Sequence, residues 1–147
     1  MAEMVDRRVR TARGLAWAAV LASIAVGLAG IALAPVCFLL MRPLMASGAW
    51  LLGAFAGYIG IACAGMVWTG LRTWGALLHD RAAAPRALGW SAVWAAVATV
   101  PSMLWHIALA RFILAGNPFW GYEITAVEGT VDLSLPWLVF ALALVAR

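Results

Sequence analysis

The sequence predicts an all-α membrane protein: a four-transmembrane-helix bundle with both termini cytoplasmic and a short irregular or hairpin-like outer loop between the third and fourth helices. Three observations carry that expectation. The composition leaves little polar surface, long apolar runs recur along the chain, and arginines gather on one side of those runs. Of 147 residues, 66% are hydrophobic and 11% charged, against about half and about a quarter in soluble domains. All ten cationic residues are arginine. They stand at the ends of apolar stretches instead of forming one basic stripe, so they read as topology signals and nucleic acid is not an expected partner.

In hydrocarbon the backbone has to satisfy its own hydrogen bonds, so an apolar run of about 20 residues without strand-like alternation is read as a helical span. The first span, about 14–40, follows a cytoplasmic segment, 1–13. A signal peptide carries only roughly 7 to 15 apolar residues before its cleavage site, so this longer run is expected to be retained. The second span, 49–71, and the third, 87–115, are apolar apart from Arg111 near the end of the third. The fourth, 131–146, is apolar only from Leu133 to Ala146. It needs its flanks or a locally thinned bilayer to cross. The four together are read as one domain, 1–147.

Cytoplasmic segments are enriched in Lys and Arg. Arg7, Arg8, Arg10 and Arg13 precede the first span, Arg72, Arg81 and Arg86 fall between the second and third, and Arg147 follows the fourth. Only Arg42 and Arg111 are left for the other side. Both termini are therefore expected inside, in a bacterial inner membrane given the bias to alanine and to arginine over lysine. Tryptophan prefers the two membrane–water interfaces. Trp17, Trp68, Trp74, Trp90 and Trp94 fall near predicted cytoplasmic ends, and Trp50, Trp105, Trp120 and Trp137 near outer ends, with none at a predicted mid-membrane position.

Lipid tails are as apolar as leucine, so membrane helices associate through close backbone approach at small residues. Ala19, Ser23 and Gly27 recur every four residues in the first span, continued by Gly30 and Ala34. Gly53, Gly57, Gly60 and Ala64 form a matching stripe in the second, and these two faces are expected to meet. Pro35 and Pro101 each remove a backbone donor and are expected to kink their spans. Cys37 and Cys63 lie inside spans, with neither a CxxC pair nor metal-ligand spacing, and read as small core residues.

One polar face stands out. Ser91, Thr99, Ser102 and His106 share a face of the third span, with Arg111 about a turn beyond. An ionisable group at membrane depth is a functional candidate, although His106 lies near the outer end and has Ser102 one turn back as a partner. The loop 116–132 carries strand formers around Glu128-Gly129. Its Glu123, Glu128 and Asp132 offer oxygen ligands to a hard cation, but without standard spacing a solvated acidic loop is preferred.

No cofactor is expected. A transmembrane b-type haem is usually held by two histidines, and His79 lies on the opposite side from His106. Disulfide-forming quinone reductases need paired outer cysteines, and small multidrug-resistance transporters need a glutamate buried in the first span. The function expected is that of a non-catalytic accessory or scaffolding protein that acts through helix contacts, with the bilayer, other membrane subunits or further copies of itself as partners. The alternative is a transporter or channel component with a path lined by the third helix. A redox or enzyme subunit lacks a further acid, base or ligand.

Overall fold

The computed structural model describes residues 2–45, 50–114 and 135–147, with side chains placed at 4–36, 39, 54, 57–99 and 135–147. The fold is helical, without a strand among the described residues: α1 (Ala2–Met45), α2 (Trp50–His79), α3 (Ala84–Leu114) and α4 (Leu135–Ala146). The expected outer hairpin, residues 131–134 and the tryptophan at 120 lie outside the described residues. By length and composition, Met4–Val36 is enough to cross a membrane, the one such stretch among the described residues.

The helices overrun the apolar runs that announce them. The segment before the first span is already helical from Ala2. It is rich in Ala, Arg and Met, which cost little in a helix. The Arg10–Asp6 ion pair (2.7 Å) bridges successive turns there, and α1 then continues through Pro35 and Pro43. The second helix, expected to end near 71, continues to His79, and the third starts at Ala84 instead of 87. Apolar length marks the depth of a crossing, whereas a helix ends where its backbone groups find other partners. Here Asp80 supplies them: its Oδ1 accepts from the N–H groups of Ala82 and Ala83 at 3.2 and 3.3 Å. Pro85 then enters the first turn of α3, where a missing N–H is harmless. The connection shrinks to 80–83, so Arg72 and Arg86 ride on helices and only Arg81 is in the turn.

Helices α1 and α2 run antiparallel. Trp17 meets Trp74 edge to face with ring centroids 5.3 Å apart, and the Ser23 hydroxyl donates to the Met66 carbonyl at 2.8 Å. Further along, a Cβ at Gly27 would stand 2.7 Å from the Cys63 carbonyl oxygen, one at Gly30 would overlap the Cys63 sulfur, and one at Gly60 would touch Ala34 at 3.7 Å. The α2 side of the seam is thus Gly60, Cys63, Met66–Val67 and Gly70. This differs from the expected stripe. An added Cβ at Gly57 meets nothing within 4 Å, and Ala64 is exposed. Small residues occupy two faces of α2, and the face that packs is the one whose carbonyl at Met66 answers the Ser23 hydroxyl. Gly53 lies outside the residues whose packing is described.

On its other side α2 packs against α3, with Trp94 lying where a Cβ at Gly65 would be. Helices α1 and α3 barely touch, and α4 fills the space between them. Val139 joins Ala62, Met66, Ala95 and Ala98, and Ala143 joins Ala16, Ala19, Leu88 and Ala92. Arg147 ends over Gly89. The order is therefore up-down-up-down, and the arginines at 7–13, 72, 81, 86 and 147 share one end. Trp137 is a correction: it stacks on Phe140, and its neighbour Val139 sits level with the middle of α3, not with an outer end. Ten residues of helix, about 15 Å, separate it from Arg147.

The core inverts the pattern of a soluble protein. Alanine is the commonest buried residue, joined by Ser23, Thr69, Thr73, Ser91 and Thr99 and by a few larger side chains such as Met66 and Val139, while Leu21, Leu28, Leu33, Ile61, Trp68 and Trp90 are more than half exposed. At Gly27 the clashing atom is backbone, so Gly27→Ala is expected to destabilise the bundle by about 1–3 kcal/mol. Gly57→Ala, in open space, should be neutral or stabilising by up to about 1 kcal/mol. Thermal unfolding of the two variants in one detergent checks this, and equal effects would contradict the seam.

Candidate functional site

The polar face read on the third span meets an unexpected counterpart on α2. Ser91 and Thr99 are buried, and Ser91 Oγ lies 3.2 Å from Thr73 Oγ1. Thr73 also donates to the Thr69 carbonyl at 2.8 Å, and Thr69 to those of Gly65 and Met66 at 2.8 and 3.2 Å. Thr99 bonds the Ala95 carbonyl at 2.7 Å. Thr73 was missed because hydropathy ends the second span at 71, and Thr69, inside that span, was not read with it although their i,i+4 spacing was there to be read. Ser102, His106 and Arg111 are on α3, but their side chains lie outside the described residues, as do Glu123, Glu128 and Asp132. The structure therefore brings together Ser91 and Thr73 and leaves the outer half of the polar face undescribed.

These hydroxyls return bonds to their own helices or to each other, and among the described residues no buried side-chain N or O lacks a partner. Such a ladder positions two helices, because an unbonded hydroxyl in an apolar interior is costly. It offers no acid or base beside a hydroxyl. Among the described residues no group of three or more His, Cys, Asp or Glu is placed to hold a metal.

One bond in this seam has a covalent origin. Pro101 has no N–H, so the carbonyl four residues earlier, at Val97, loses its helical donor. The Tyr58 hydroxyl of α2 donates to that carbonyl at 2.6 Å. A neighbouring helix thereby satisfies the group that proline orphans.

Beside the ladder and on toward the turn, a groove of about 610 Å³ runs between α2 and α3. Its walls include Trp68 and Arg72 on α2 and Arg86, Trp90 and Trp94 on α3. The α2 residues that face α1 and the α3 residues that face α4 are not among its lining, so it opens away from both. The Arg72 guanidinium lies 5.9 Å from the Trp68 ring centroid.

Compared with known protein families, curated proteins and solved structures, the chain matches none. Tyr58→Phe is expected to cost about 1 kcal/mol, within the range of interhelical hydrogen bonds in membranes. In a Pro101→Ala background the backbone N–H returns and the cost should fall by at least half. A double-mutant cycle by thermal unfolding measures it, and an unchanged cost would show that Tyr58 does not act through Val97.

Proposed function

We propose that the chain is a small integral protein of a bacterial inner membrane, crossing it four times with both termini cytoplasmic, and that it works through helix contacts as a non-catalytic accessory or scaffolding subunit. The observation that carries the reading is the inverted burial. Large apolar side chains face outward on all four helices, among them Leu28, Ile61, Trp90 and Leu138, around a core in which alanine, serine and threonine outnumber the larger Val20, Met66, Leu88 and Val139. In water such a surface would be an aggregation liability; in lipid it is matched to its solvent.

The shared end of eight arginines supports the orientation, since basic residues are retained in the cytoplasm. Residues Leu135–Ala146 cover about 18 Å of a hydrocarbon core about 30 Å thick, so the fourth crossing also takes residues before Leu135. The contact-based role draws on the polar ladder, whose hydroxyls are committed to bonds between and within helices. That leaves the outer helix faces for recognition. The transporter alternative draws on the burial of Ser91 and Thr99, yet both hydroxyls are already bonded within the bundle.

Two measurements test the two halves of the reading. With Cys37→Ser and Cys63→Ala removing native thiols, Ala82→Cys in the α2–α3 turn should react with a membrane-impermeant maleimide only after spheroplasts are permeabilised. Labelling of intact spheroplasts would overturn the orientation. Tagged protein extracted from its own membrane in mild detergent should carry a stoichiometric partner chain, and a partner-free monodisperse preparation would overturn the accessory role.

A further inference from the structure

The α2–α3 groove has an order of chemistry along its length. Antiparallel pairing sets Thr73 opposite Ser91 and Gly65 against Trp94. Counted from the Thr73–Ser91 pair, Arg86 lies nearest the turn, Trp90 and Arg72 follow about 6 and 9 Å further in, and Trp94 and Trp68 lie deepest. The groove therefore carries a guanidinium at its turn end, an indole and the second guanidinium beyond it, and two indoles at its inner end. Among the described residues neither arginine forms an ion pair; the ion pair found there is Arg10–Asp6. The carboxylate that lines the groove, Asp80, turns Oδ1 to two backbone N–H groups. Two like charges lining one groove repel each other, and an anion bound by both offsets that repulsion.

We propose that this groove binds the phosphate headgroup of an anionic phospholipid from the cytoplasmic leaflet, with Arg72 and Arg86 on the phosphate and Trp68 and Trp90 against the glycerol and first methylenes. The inference rests on the membrane-spanning orientation above. Guanidinium groups pair with phosphate oxygens through two parallel N–H bonds, a geometry lysine lacks. Indole rings are at home at headgroup depth. Basic pockets between helices on the cytoplasmic side are suited to anionic headgroups. A volume of about 610 Å³ is in the range that encloses a headgroup-sized ligand. The outermost of these side chains is Arg86 and the innermost are Trp94 and Trp68, so charge gives way to aromatic surface from turn to interior, as a phospholipid runs from phosphate toward acyl chain, and the groove opens to the side where lipid would lie.

The test uses the full chain in nanodiscs of equal phosphatidylglycerol and phosphatidylcholine, with lipids retained on the released protein counted by native mass spectrometry. Wild type should retain phosphatidylglycerol selectively. At about fivefold per basic residue, Arg72→Gln with Arg86→Gln should cut that selectivity roughly thirtyfold, while Arg7→Gln with Arg8→Gln on the exposed start of α1 should leave it unchanged. Gly75→Leu is a second variant: a Cβ at Gly75 meets nothing within 4 Å, so the side chain fills the groove with both charges kept, and it should abolish retention. No selectivity in wild type, or selectivity that survives both groove variants, overturns the proposal. Displacement of the lipid by soluble glycerol 3-phosphate at equal concentration also overturns it, because the site would then read the phosphate ester alone. Failure of wild type to enter phosphatidylcholine nanodiscs is a separate result, which overturns the membrane reading beneath it.

Discussion

The approach of α1 to α2 at Gly27 sets the terms for the rest of the bundle. With a virtual Cβ only 2.7 Å from the Cys63 carbonyl, the two backbones are as near as glycine permits, and dispersion contacts reach their full value along the seam. That proximity puts Ser23 within reach of the Met66 carbonyl and Trp17 against Trp74, which fixes the axial register. Close backbones leave no room for large side chains between them. Alanine fills the centre and leucine, isoleucine and tryptophan turn outward. The inverted burial that supports the membrane reading is thus a consequence of the same close approach.

Helix α2 carries a second obligation, to α3, and meets it with hydrogen bonds as well as packing. Tyr58 answers the carbonyl that Pro101 leaves open, and Thr73 answers Ser91. These bonds lie on faces of α2 other than the glycine seam, so one helix is read by two partners through two chemistries. Because α1 and α3 scarcely meet, α4 can enter between them with alanine and valine. The tight Asp80 turn brings the arginine-bearing ends of α2 and α3 side by side. The groove between them is what remains on the side that neither α1 nor α4 covers.

Much of the architecture was legible because the bilayer reading leaves few choices. Apolar runs located α1, α2 and α3, and the arginine positions foretold that 7–13, 72, 81, 86 and 147 share an end. Two features escaped. Helix ends were misjudged by up to about three turns, at the end of α2 because Thr73, Leu77 and Asp80 extend or stop a helix through hydrogen bonds and packing that hydropathy does not register. The packing face of α2 was placed around Gly57, because glycine at helical spacing shows that a face is permitted to pack, not that it does. Met66 and Val67 complete the actual seam without being small, and Cys63, expected as a small core residue, joins them; their role depends on a carbonyl and a sulfur meeting Ser23 and Gly30 across the gap.

The sequence by itself determined helicity, the approximate place of the apolar runs that became α1, α2 and α3 and the gathering of positive charge, because these follow from residue-by-residue transfer between water and an apolar phase and from local backbone bonding. Only the tertiary structure decided which glycines are in contact, that Tyr58 serves Pro101 from another helix, and that Arg72 and Arg86 line one groove. Those are relations between residues 14 to 58 positions apart in the chain. They depend on the rotation and register of whole helices, which are set by the sum of contacts along a seam and not by any residue's own preference.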